Sequence, residues 1–310
     1  MVCIGVIGAM EEEVSSLINQ MEDAESKTMA GMTFYKGTLW NQDTVVVQSG
    51  IGKVNMAICT QILVNIYGVD MLINTGVAGG LYKDINVGDI VISSDALQHD
   101  FDVTGLGYKK SVIPGMETSV FTADTELVEM AKEACEIVNP EIQCFVGRVV
   151  TGDQFISDND TKATLVKDYD GYCAEMEGAS MAQVATLNKV PFVIIRAISD
   201  KADNSAPVAY ETFEEQAIVH TVKLLAAMFL KMFFTNESPF SNGFSFCIIG
   251  AQSRQSKVIS QGRTGIGESW QTRYRFADCF GWGPAMKRPY IILTGKRVCA
   301  GLYYFSCICH

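Results

Sequence analysis

The chain has 310 residues, 48% of them hydrophobic, and a formal net charge of −11, which is enough chain for one large domain or two small ones. The charge is uneven: residues up to Phe234 carry a net −17 and only two arginines, Arg148 and Arg196, whereas the last 76 carry +6 and six arginines. An acidic front segment is repelled by phosphate backbones, which excludes sequence-independent nucleic-acid binding there.

The opening MVCIGVIGAMEEE lacks a basic n-region and a small-residue cleavage site, so it reads as a first strand over 2–7 and not as a signal peptide. A helix over 11–21 follows, with Val14, Leu17, Ile18 and Met21 on one face. Strands are predicted over 33–39 and 44–48, then a glycine corner at 50–52 and a helix over about 55–67. Next come a strand over 70–74 that ends in the loop TGVAGG and a strand over 89–93. A helix over about 125–137 leads to strands over 145–151 and 171–174. The helix over 178–188, the apolar strand over 192–198 and a closing helix over 212–234 complete the pattern. Strands alternating with helices predict an α/β sheet covered by helices.

Gly8, Gly50, the glycines of 76–80, Glu175 to Glu177 and Asp200 all fall just beyond the predicted strand ends. Open α/β sheets bind ligands at that rim, so one composite site built from five loops is expected. The longest apolar run, 224–234, contains Lys231 and is too short for a bilayer, which needs about 20 residues. The five front cysteines have neither metal spacing nor a compact disulfide framework, and a reducing cytoplasm is the simplest compartment.

Several residues could carry chemistry, each with a plainer reading beside it. Glu11, Glu12 and Glu13 suit a helix N-terminus, and periodicity does not choose between Glu11 and Glu13. GIGK at 50–53 lacks the phosphate-loop spacing and reads as a tight turn. Glu175 and Glu177 flank Met176 where a strand meets a helix, which is again a favourable place for charge. Asp200 follows a strand so apolar that its carboxyl should be desolvated, which suits a general acid; a helix-capping role with Ser199 or Asp203 is the alternative. His99, His220 and His310 form no spaced ligand set, and the terminal CICH cannot easily close a tetrahedral metal site alone.

Seven segments, IGVIGAMEEEV, SGIGKVNMA, NTGVAGGL, VGDIVIS, TGDQFI, AEMEGAS and PFVIIRAISDKAD, in this order, resemble the 5′-methylthioadenosine/S-adenosylhomocysteine nucleosidases over about residues 1–234. The resemblance implies a three-layer α/β/α sandwich with a central mixed twisted sheet of the nucleoside phosphorylase type, and a homodimer. It implies hydrolysis of the N-glycosidic bond of methylthioadenosine and S-adenosylhomocysteine to adenine and a 5-thio-substituted ribose, in methionine salvage and methyl-cycle recycling. No metal or organic cofactor, nucleic acid or membrane is implied for this segment.

By position, the resemblance makes Glu13 the residue that activates water, puts Met176 and Glu177 on the ribose, and makes Asp200 the general acid for adenine N7 with Ser199 near it. Phe155 and Ile156 would stack on and read the base. Ala78 and Gly79 would lie along the substrate, Met10, Ile51, Val103 and Tyr210 would line the alkylthio pocket, and a partner subunit would contribute Leu106 and Pro114. Val77 stands where many members have serine, and Leu106 and Tyr210 where phenylalanine is common. The chemistry is consistent: protonated adenine leaves more readily, and the sugar gains oxocarbenium character as the bond breaks.

A phosphorylase of the same fold is the nearest alternative, but phosphate sites use cationic forks and the front segment has two arginines. A binding or storage protein that lost catalysis is another, though all three carboxylates remain. Residues 235–310 read as an atypical basic tail, poorly packed, with apolar runs at 246–251, 290–293 and 298–305 and no sustained periodicity. Either it is an appended segment for RNA or an acidic partner, or it comes from a reading-frame change or readthrough.

Overall fold

The computed structural model describes residues 2–237 and, beyond them, 269–275, 290–298 and 302–309; side chains are described over 2–206 and 218–233. Two compact units divide the chain after Glu237.

The first unit begins with β1 (Cys3–Gly8) and α1 (Glu11–Ile18), followed by the meander β2 (Glu22–Met29), β3 (Met32–Leu39) and β4 (Gln42–Gln48). Helix α2 (Lys53–Ile62) ends in a π-helical turn, Leu63–Tyr67, and leads to β5 (Met71–Gly80) and β6 (Ile90–Gln98). The short β7 (Phe121–Thr122), α3 (Thr125–Val138), β8 (Cys144–Thr151), α4 (Asn159–Tyr169) and β9 (Gly171–Glu175) come next. The unit closes with α5 (Gly178–Asn188), β10 (Phe192–Asp200) and α6 (Ala206–Glu237).

The strands form one mixed sheet in the order β10-β6-β8-β9-β5-β1-β4-β3-β2, with β7 on β6. Because β10 also pairs with β5, the first five strands close into a ring. Closure removes the edges of the strands that carry the most apolar residues; β10 is buried along its whole length. Helices α1, α3 and α6 pack together on the sheet, and α2 and α5 form a second group, which is the expected α/β/α arrangement.

Most predicted elements fall where the periodicity put them, and three differ. Strand β2 is almost wholly exposed; its pairing with β3 makes it a strand, so its polar side chains carry no period-2 signal. Helix α4 buries only Leu165 and Tyr169 and is opened by the Asp158 carboxylate on the Thr161 amide. The third is β5, which continues through the TGVAGG run expected as a loop. Gly76 pairs with Arg196 and Gly79 with Asp200 in a parallel ladder. These glycines answer to close side-chain approach, since a methyl group at 76 would overlap the Glu13 carboxylate.

In the second unit, β11 (Ser269–Arg275), β12 (Tyr290–Val298) and β13 (Leu302–Cys309) pair antiparallel in chain order. The apolar run at 246–251 lies outside the described residues. Among the described residues no helix is long and apolar enough to cross a membrane.

Candidate active site

The rim forms where β1, β5 and β10, mutually parallel, reach their C-terminal ends at Gly8, Gly80 and Asp200. Strand β9 is antiparallel to β5, yet its short pairing of Ala174 with Gly79 delivers Glu175 to the same place. Asp200 and Glu175 occupy the last positions of their strands, whereas Glu13 and Glu177 lie just beyond them, at the starts of α1 and α5.

At the end of β1 the chain turns into α1, and Glu13 folds back over its own N-terminus. Its Oε2 accepts from the amides of Ala9 (2.6 Å) and Met10 (3.0 Å), and its Oε1 from the amide of Val77 (3.1 Å) on β5. This settles a choice that periodicity left open, because Glu11 and Glu12 are exposed whereas Glu13 is buried. The helix-capping reading is realised in this side chain, which also reaches across to β5. Residue 77 reaches Glu13 through its backbone amide, a contact that does not depend on the side chain there.

Arg196 is not among the sequence candidates and Glu175 appears there only as one of two acids at a strand end, yet together they organise the centre. Both are almost fully buried and form an ion pair of 2.5 Å. Arg196 also donates to the Asn74 side chain (2.5 Å) and to the carbonyls of Asn74 and Ile195, while its Nε has no hydrogen-bond partner. Glu175 accepts from the Thr151 hydroxyl and from the amides of Glu177 (3.1 Å) and Gly178 (2.7 Å). The signal was present in the sequence: one cation inside a central apolar strand must meet a buried anion.

Glu177 lies at the entrance to α5, where its Oε1 accepts from the amide of Gly52 (2.8 Å). Burial, and then the charge of Glu175, push its carboxyl up to about 8, although Arg196 and the Gly52 amide oppose the shift. Burial likewise raises Glu13, against Arg196 and the three amides. Asp200 accepts from the Ala202 amide (2.7 Å) and sits 3.0 Å from the Ser199 hydroxyl, and burial raises it too. Burial would lower Arg196, but Glu175, Glu13 and Glu177 hold it charged. One guanidinium thus serves three buried carboxylates.

A small, partly open cleft lies beside Asp200, lined by Gly79, Gln154, Phe155, Ile156, Ala174, Glu175, Met176 and Ala202. It unites Gly79, Phe155, Ile156, Met176 and Asp200 of the predicted set, and adds Gln154, Ala174, Glu175 and Ala202. Ala78 is buried behind it, and Met10 contributes the amide on Glu13. Ile51 is 54% exposed and Leu106 75% exposed; Val103 is half-buried and Pro114 exposed, and none of these four lines the cleft. The side chain of Tyr210 lies outside the described residues.

A carboxyl raised from 4.5 to about 8 favours the folded state while it is protonated. That contribution is complete below the unfolded value and is lost as pH rises through about 8. Glu177→Gln is therefore expected to have a higher Tm than the native protein at pH 9, with the gap shrinking toward pH 5. Thermal denaturation across that range checks it, and a pH-independent gap would refute the assignment.

The model of the phosphorylase superfamily matches residues 3–233. The chain is 42% identical over 226 residues to a 5′-methylthioadenosine/S-adenosylhomocysteine nucleosidase of an Exiguobacterium species, covering 73% of this chain and 96% of that one. It superimposes with a TM-score of 0.71 on the nucleosidase of that name from Colwellia psychrerythraea, solved in complex with adenine, at 39% identity and over 74% and 94% of the two chains. The futalosine hydrolase of Helicobacter pylori gives a TM-score of 0.69 at 32% identity, over 73% and 97%. Over the segment that carries the buried carboxylates, the chain belongs to the phosphorylase superfamily and, within it, to the 5′-methylthioadenosine/S-adenosylhomocysteine nucleosidases.

Proposed function

We propose that residues 1–234 hydrolyse the N-glycosidic bond of 5′-methylthioadenosine and S-adenosylhomocysteine, releasing adenine and a 5-thio-substituted ribose. The observation that carries this is the convergence on one rim of three buried carboxylates, Glu13, Glu177 and Asp200, all held above their ordinary pKa. Asp200, raised by burial, keeps the proton it passes to adenine N7 as the base leaves. Glu177 holds the ribose hydroxyls, and Glu13 takes the proton of the attacking water. Phe155, Ile156 and Met176 supply apolar contact for base and sugar along the cleft. Each acid–base contact of this kind contributes roughly 10²–10⁴-fold.

Water is favoured over phosphate because both arginines of this segment are engaged. Arg148 forks onto Asp95 at 2.5 and 3.2 Å, and Arg196 is committed to Glu175 and Asn74. The relationship to a futalosine hydrolase makes the 5′-substituent the open variable, to be read by presenting several 5′-modified adenosines side by side. Such a reaction serves methionine salvage and methyl-cycle recycling, and the free thiols of the front cysteines are in keeping with a reducing cytoplasm.

A homodimer is part of this proposal. Val54 and Ile58, four apart on α2, expose 70% and 41% of their surface, Ile51 just before the helix exposes 54%, and Leu187 on the adjoining α5 exposes 64%. Apolar residues grouped in this way suit a subunit interface, across which Leu106 and Pro114 would reach the neighbouring site. The catalytic unit is proposed to be complete at Phe234, with residues 235–310 adding nothing to it.

Four outcomes are expected, on phosphate, on Asp200, on assembly and on the tail. Methylthioadenosine is cleaved in phosphate-free buffer to free 5-methylthioribose, and Asp200→Asn binds substrate but turns over at least ~10²-fold more slowly; a strict phosphate requirement, or near-normal turnover by the variant, would reverse the reading. Light scattering gives twice the chain mass for the native protein and close to one chain mass for Val54→Glu. Truncation after Phe234 leaves kcat/KM within about twofold, and mass spectrometry of C-terminal peptides from native cells tells whether the tail is made.

A further inference from the structure

The GIGK corner, which reads as a plain turn in the sequence, is a junction. Gly52, at φ +98°, directs its amide to Glu177, and the next amide, that of Lys53, donates to Asp153 Oδ1 at 2.9 Å. The Lys53 ammonium lies 2.7 Å from Asp100 Oδ1, 3.2 Å from Gln98 Oε1 and 4.0 Å from Asp153 Oδ2. Asp100 Oδ2 in turn accepts the amide of Asp153 at 2.9 Å. Lys53, Asp100 and Asp153 therefore form a closed ring that joins the start of α2, the end of β6 and the segment after β8. The far side of Lys53 is pinned by the Ser180 hydroxyl on its carbonyl, at 2.6 Å.

Building on the nucleosidase reading of the site, we infer that Lys53 is a positioning residue: its ammonium lets the Asp100 and Asp153 carboxylates sit together, and thereby fixes the cleft wall at residues 154–156. Gln154, Phe155 and Ile156 line the cleft and directly follow Asp153. Lys53 itself is absent from the lining, so it acts through that segment. Lys53 and Asp100 expose only 18% of their side chains, where solvent screens the interaction far less than at an open surface. Burial would raise Asp100, but the ammonium and the Asp153 amide hold it below the usual carboxylate range. Without the ammonium, two carboxylates are left facing each other and the wall moves away from the base.

A displaced wall weakens substrate and transition state alike, so KM changes while kcat hardly does. The test uses the full chain and methylthioadenosine with adenine release as readout. Lys53→Met and Asp153→Ala are each expected to raise KM at least about 10-fold with kcat within about threefold. Lys53→Met combined with Asp100→Asn should return KM to within about threefold of native, because the repulsion is gone while an oxygen still accepts the Asp153 amide. A stability role without positioning would lower Tm and leave KM alone. Asp153 is half-exposed and its variant is expected to fold, so it decides the matter if Lys53→Met does not. Native KM in Lys53→Met or in Asp153→Ala, or no recovery in the double variant, overturns the inference. Failure of the native protein itself to release adenine overturns the functional reading and this inference with it.

Discussion

The Arg196–Glu175 ion pair is the constraint on which the rest of the site depends. Taking two charges out of water is costly, and their attraction compensates only when geometry and further hydrogen bonds are good. Here they are good: Glu175 gathers a hydroxyl, two amides and the guanidinium, and Arg196 reaches across to Asn74 on the neighbouring strand. Through the amides of Glu177 and Gly178, Glu175 sets how the chain enters α5 and hence where Glu177 stands. Arg196 lies opposite Gly76 in the ladder, and the room left by that glycine is filled by Glu13. Displacing either partner would disturb Glu13 and Glu177 together.

The same burial sets the proton affinity of the site carboxyls. Burial holds the protons of Glu13, Glu177 and Asp200 more tightly than in solution, and Arg196 offsets the shift only at Glu13 and Glu177. A raised carboxyl can act as an acid near neutral pH, which the chemistry of a purine leaving group requires. Closing β5, β9, β8, β6 and β10 into a ring supplies the low-water setting, and the two helix groups shield it from either side.

Much of the fold was legible because its strands are fully buried and apolar and its longer helices have a clear period. Helix α5, for example, was predicted with its observed bounds. Strand β2 was not legible, since an exposed edge strand is defined by backbone pairing and leaves no mark on side-chain pattern. The glycine run at 76–80 was misread as a loop because glycine signals backbone freedom and side-chain crowding in the same letter. Among the site residues, Asp200 and the pair Glu175 and Glu177 are legible as carboxylates next to strand ends, whereas periodicity leaves Glu13 level with Glu11, and the pairing of Arg196 with Glu175, 21 positions apart, has no local signature.

The sequence by itself determined the alternation of strands and helices, the shortage of arginine that disfavours a phosphate site, and the acidic residues at the strand ends. Those are properties of composition and period, which any fold of this chain must respect. Only the tertiary structure decided which of three consecutive glutamates turns inward, which arginine faces which acid, and that the GIGK turn ties Asp100 to Asp153. Those outcomes depend on strand register and on desolvation, and both arise only when segments far apart in the chain are packed together.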